Sequence, residues 1–80
     1  MARLNVSEME KIEKTKNSVQ EEVAATYSTF IKDNEEYFQI DMYGSKERVF
    51  TGKVSQVVQL DKENAKQLIS LLKKVFNLQF

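Results

Sequence analysis

The run Tyr37-Phe38-Gln39-Ile40-Asp41-Met42-Tyr43 alternates strictly between apolar and polar positions and ends at Gly44. Side chains of a β-strand point to opposite faces with a period of two. Phe38, Ile40 and Met42 therefore share one face; Tyr37, Gln39, Asp41 and Tyr43 share the other. The first set can only be satisfied by covering it with an apolar layer. The second displays an amide, a carboxylate and two phenols in a row. A chain carrying this run must build a sheet with one face in a core.

The flanking segments supply the rest of that sheet. Thr26-Tyr27-Ser28-Thr29-Phe30-Ile31 is rich in β-branched and aromatic residues, which favour strands. Asp33-Asn34-Glu35-Glu36 is a turn cluster, so the two strands form a hairpin. Gly44-Ser45-Lys46-Glu47 reads as the next turn and Arg48-Val49-Phe50-Thr51 as the returning strand. Gly52 suggests a bulge or tight bend. Lys53 to Leu60 resumes as a strand through Val54, Val57, Val58 and Leu60, and the adjacent valines place apolar groups on both faces.

Two helices are expected. Asp61 is a good N-cap, with Glu63 and Asn64 in the first turn. Ala65, Leu68, Ile69, Leu72, Val75 and Phe76 then recur at helical spacing, and Leu71 widens the stripe. Lys73 and Lys74 sit where cations suit the helix dipole, and Asn77 can terminate the element. At the other end, Ser7 with Glu10 forms a capping-box pattern. Met9, Ile12, Val19 and Val23 follow on one side of a helix, interrupted by Lys16. That stripe is thin, so the helix needs the domain, a second copy or a target to lean on; a loosely attached arm is the other reading.

The expected fold is α+β: an N-terminal helix, a three- to four-stranded antiparallel meander, and a C-terminal amphipathic helix packed on the Phe38 face. Residues 1–24 form the N-terminal helix or arm. Residues 25–80 form the sheet and closing helix, as one domain. At 80 residues a single core supplies only about 3–5 kcal/mol. The chain has neither Cys nor His, which excludes disulfides and a Cys/His zinc site. Self-association is the remaining way to gain buried area, so a homodimer is expected.

The missing imidazole also excludes any triad or general base that uses histidine. Gly44 and Gly52 are the only glycines, so neither a P-loop nor a dinucleotide fingerprint fits. Glu35 and Glu36 read as solvated turn charge. A protein that is not an enzyme and needs no cofactor or metal is expected. Twelve Lys and Arg balance twelve Asp and Glu, which argues against a general nucleic-acid coat. The balance is uneven along the chain. Lys32 faces four acids, Asp33, Glu35, Glu36 and Asp41, within residues 25–44; residues 45–80 carry seven cations against three acids. No apolar run approaches the roughly 18 residues of a membrane span. The N-terminus lacks the apolar region of a signal peptide. A soluble, cytoplasmic protein without membrane attachment is expected.

The polar row is the candidate site. It comprises Tyr37, Gln39, Asp41 and Tyr43, with Ser45 and Arg48 beyond the turn and Lys53, Ser55 and Gln56 from the following strand; Gln59 extends the same surface. Phenols and guanidinium groups are favoured at recognition surfaces. The competing reading is a sheet face that is polar because water requires it, with Asp41 and Arg48 paired across the hairpin. Two functions follow from the first reading. One is a binding or regulatory module that recognises a protein or a small polar ligand through its sheet face. The alternative is a dimeric single-stranded nucleic-acid binder, stacking bases on Tyr27, Tyr37 and Tyr43 with Arg48 and Lys53 on phosphates.

Phe38-Gln39-Ile40-Asp41, Tyr43-Gly44-Ser45, Arg48, Gly52-Lys53, Ser55-Gln56 and Gln59-Leu60-Asp61 together resemble a small uncharacterised bacterial protein family. Its pattern is Phe-Gln-Ile-Asp-x-Tyr-Gly-Ser, then Arg, then Gly-Lys-x-Ser-Gln, then a closing amphipathic helix. The resemblance begins at Tyr37, ends near Phe76 and brings no function with it. Met42 stands where that pattern has a small polar residue. A second resemblance, of pattern only, runs through Val57-Val58-Gln59-Leu60-Asp61 into the closing helix. It is to dimeric transcriptional-coactivator domains that bind single-stranded DNA on a curved sheet, and it implies a dimer and that architecture. Those domains are usually more basic than this chain.

Overall fold

The computed structural model describes residues 1–44 and 53–80. Among these residues, four strands and one helix follow in the order β1 (Ala2–Arg3), β2 (Ala25–Lys32), β3 (Glu35–Tyr43), β4 (Val54–Asp61) and α1 (Lys62–Phe76), with a 3-10 turn at Val6–Glu8. The fold is α+β. The strands lie in the order β1-β4-β3-β2. The returning strand expected at Arg48–Thr51, the bend at Gly52, and the candidates Ser45 and Arg48 lie outside the described residues.

The β2–β3 hairpin is tighter than the Asp33–Glu36 turn cluster suggests. Only Asp33 and Asn34 form the loop, both at positive φ (52° and 65°), with Lys32 opposite Glu35. Positive φ at both central residues defines the type I′ turn, whose twist matches that of the flanking strands. Asp and Asn tolerate this left-handed region better than other side-chain-bearing residues. The turn sets the whole register: Phe30 opposite Tyr37, Ser28 opposite Gln39, Thr26 opposite Asp41.

β4 continues the antiparallel pairing on the other side of β3, with Leu60 opposite Phe38 and Gln59 opposite Gln39. Between Met42 and Tyr43 the register on β4 jumps from Gln56 to Val54. Ser55 is thus the extra residue of a bulge. The sheet is not purely antiparallel as expected: Ala2 and Arg3 pair parallel to Val58 and Gln59. A parallel pair needs a long connection between its strands, and residues 4–53 provide it. The Leu4 amide extends the edge by donating to the Gln59 carbonyl at 2.9 Å.

The expected N-terminal helix is absent. Beyond β1, the only regular element of residues 1–24 is the Val6–Glu8 turn, closed by the Met9 amide on the Val6 carbonyl at 3.1 Å. The Ser7 hydroxyl, read as a cap, instead donates to the Asn5 side chain at 2.8 Å. Helix nucleation is costly, and short helices persist mainly by burying an apolar face. Met9, Ile12, Val19 and Val23 are all exposed, so nothing repays that cost. The segment's ion pair, Lys11 to Glu13 at 3.5 Å, is fully solvated and adds little.

α1 forms as its sequence dictates. The Asp61 carboxylate accepts the Asn64 amide at 2.8 Å, and Asn77 ends the helix in the left-handed conformation (φ 54°). Asn64 also ties the N-terminal segment down, because its side-chain carbonyl accepts the Val6 amide at 2.6 Å. Ala65 borders a cleft of about 360 Å³ with Thr29, Phe38 and Leu60, which puts the helix start on the Phe38 face. The core is small. Among the described residues, Val6, Tyr43 and Leu60 are the buried apolar ones at 8% exposure, and Phe38, Ile40 and Met42 are only half-buried.

Candidate functional site

The face opposite the helix start carries the polar row. β3 supplies Tyr37, Gln39 and Asp41; β4 brings Gln59 directly beside Gln39, and β1 brings Arg3 beside Gln59. The three strands thus deliver an aligned line across the sheet. The Gln59 side-chain amide donates to the Gln39 carbonyl at 2.8 Å. The Gln39 amide donates in turn to the Asp41 carboxylate at 2.8 Å. Each bond fixes the orientation of the next group. The chain ends in an amide carbonyl on Gln59 and a carboxylate on Asp41.

A second cluster centres on Tyr37. Its ring stacks on Phe30 with centroids 5.2 Å apart, a consequence of the hairpin register. Its hydroxyl donates to the Glu35 carboxylate at 3.0 Å, and the Arg3 guanidinium approaches it at 3.4 Å. The guanidinium also lies 5.8 Å from the ring centroid, within cation–π range. The Glu35 hydrogen bond holds the Tyr37 phenol above the ordinary tyrosine range, because ionisation would put two negative charges together. Arg3, Phe30, Lys32, Asp33, Tyr37 and Gln59 line an open cleft of about 370 Å³ beside this cluster. At the end of the row, Asp61 is held below the ordinary aspartate range by the Asn64 backbone amide first and the Asn64 side chain second.

The structure sorts the sequence candidates. Tyr37, Gln39 and Asp41 come together, with Gln59. Tyr43 lies on the same side but is buried, its hydroxyl sharing a 3.1 Å hydrogen bond with Thr26. Its ring therefore packs more than it presents. Gln56 sits opposite Met42 and so belongs to the Phe38 face, away from the row. Ser55 is exposed as the bulge residue, and Lys53 is exposed just ahead of β4. Two members of the site carried no sequence prediction. Phe30 is placed by the two-residue turn, which was a readable signal. Arg3 arrives through a two-residue parallel strand, too short to leave a periodic pattern.

The arrangement suits recognition by hydrogen bonding and ring contact. Among the described residues, no group of three or more Asp or Glu side chains converges to hold a metal ion. No helix among them is long and apolar enough to cross a membrane. Comparison with family models, curated proteins and solved structures returns no match to this chain.

Proposed function

We propose that this chain is a non-enzymatic binding or regulatory module that recognises a protein or a small polar ligand through the Gln39 face of its sheet. The observation that carries the reading is the Gln59–Gln39–Asp41 chain of hydrogen bonds, two bonds of 2.8 Å on adjacent central strands. A merely solvated sheet face has no need to lock its amides into one orientation. A locked row binds with less entropy lost, which is what preorganisation contributes to affinity. Tyr37 and Phe30 add a rigid aromatic edge, and Arg3 a guanidinium fork.

The second reading, a single-stranded nucleic-acid binder, is favoured by the cleft in which Arg3 and Lys32 flank the stacked Phe30–Tyr37 pair. Rings for stacking and cations for phosphates are the usual elements of such grooves. Glu35 and Asp33 beside them oppose it.

Salt separates the two. Phosphate binding weakens steeply as salt rises because released counterions drive it. Capture from the native host, analysed for both protein and nucleic acid, is the direct experiment, with Gln39→Ala and Lys66→Ala as paired baits. Recovery lost with Gln39→Ala, kept with Lys66→Ala and insensitive to moderate salt supports the first reading. Recovery kept with Gln39→Ala and lost with Lys66→Ala places the surface on the helix and removes the proposal.

A further inference from the structure

The apolar stripe of α1 is only half used. Ala65 and Leu68 in its first turns are half-buried, whereas exposure reaches 51% at Ile69, 40% at Leu72, 64% at Val75 and 67% at Phe76. A second bare apolar patch lies on β2. Tyr27 and Ile31 share the Phe38 face by register, yet are 73% and 71% exposed. A compact monomer of this mass exposes roughly 5,000 Å²; this chain exposes 7325 Å². Part of that excess belongs to the irregular segment between Met9 and Ala24. The exposed parts of Ile69, Leu72, Val75, Phe76, Tyr27 and Ile31 together still present roughly 700–800 Å² of largely apolar residue surface, comparable to the ~800 Å² per partner of a standard interface.

Charge indicates what covers them. Beyond Glu63, the helix and tail carry Lys66, Lys73 and Lys74 and no acid. The tip of the β2–β3 hairpin carries Asp33, Glu35 and Glu36 against Lys32. Glu36 stands opposite Ile31, so it borders the β2 patch directly. The chain thus holds an apolar stripe with basic flanks and an apolar patch with an acidic border. Each is the complement of the other. A net charge of zero leaves no overall repulsion between copies.

We propose that two copies of this chain form a two-fold symmetric dimer in which the Ile69–Phe76 half of each helix lies across Tyr27 and Ile31 of the other copy. Two-fold symmetry uses each patch twice and leaves neither bare.

The test is sedimentation equilibrium on the full chain and on two variants at exposed positions, Phe76→Glu and Ile31→Glu, with circular dichroism to verify folding. Wild type is expected to dimerise, and each variant to weaken the dimer roughly a hundredfold, since a carboxylate is forced against an apolar surface. Mixing the two variants provides a signature specific to this arrangement. In either variant alone, both helix-on-hairpin contacts contain one defective side. In the mixed dimer both defects fall in the same contact, which can be lost only once, and the other contact is wholly intact, so the mixture associates more tightly than either variant alone. A monomeric wild type overturns the proposal. So does a dimer that Ile31→Glu leaves unchanged, or a mixture no tighter than its components, because a helix-to-helix interface gives those results. If either variant is unfolded, Val75→Glu replaces the helix variant and Tyr27→Glu the hairpin variant, with the same expectations.

Discussion

Truncating Leu60 to Ala removes the one buried aliphatic side chain on the two central strands. Leu60 is 8% exposed and lies opposite Phe38. The substitution deletes three carbons, worth about 2.4 kcal/mol of transfer free energy at roughly 0.8 kcal/mol each. A rigid surround adds a cavity term, and Leu→Ala then reaches up to about 5 kcal/mol. Here Phe38, Ile40 and Met42 are half-buried and can relax into the gap. The cost therefore falls near the low end, about 2.5–3 kcal/mol. For a domain of this size that lowers Tm by roughly 10–20 °C. It also consumes more than half of the roughly 3–5 kcal/mol available to so small a core. Thermal and urea unfolding of wild type and Leu60→Ala measure it. Leu72→Ala is the contrast: at 40% exposure within one chain its cost is smaller, and it grows with protein concentration if a second copy covers the helix. A fall in Tm of less than about 4 °C for Leu60→Ala refutes the placement of the core between β3, β4 and the helix start.

Three further outcomes follow from local geometry. Tyr37 has a raised pKa through its hydrogen bond to Glu35, so its contribution to stability is full below the ordinary tyrosine range and lost as pH rises through the raised value; Glu35→Gln should move the Tyr37 titration, followed by its ring resonances, to lower pH. Asp61 has a lowered pKa through the Asn64 amides, so its contribution is full above the ordinary aspartate range and lost as pH falls through the lowered value. Asn still caps but does not titrate, so Asp61→Asn should fold at neutral pH and show a shallower loss of stability in acid. Asn34→Val places a β-branched residue at φ 65° and should cost roughly 1–2 kcal/mol in urea unfolding; Asn34→Gly should not.

Much of the fold was legible because it is written in local chemistry. The alternation over Tyr37–Tyr43 fixed a strand and its two faces. Asp61 and Asn77 marked the ends of α1, where both observed caps lie. The hairpin register was readable too: Asp33-Asn34 taken as a two-residue turn places Phe30 on Tyr37, as found. The Ser7 pattern misled because a capping signal says where a helix can start, not whether an apolar face will be buried to hold it. The parallel β1 was invisible because two residues carry no period, and Arg3 entered the site unannounced for that reason. Gln56 belongs to the Phe38 face by plain alternation with Leu60 and Val58, ahead of the bulge at Ser55; the adjacent Val57-Val58 pair masked that period in the sequence.

The proposed recognition surface is tested most directly by nuclear magnetic resonance with the partner recovered from the host, titrated into labelled protein. The side-chain amides of Gln39 and Gln59 report on the row from within it. The account predicts that these two signals shift first and most, with Arg3, Tyr37 and Asp41 following and with the exposed stretch from Ile69 to Phe76 unmoved by the titration. Perturbation confined to that stretch of α1, with Gln39 and Gln59 unchanged, contradicts it.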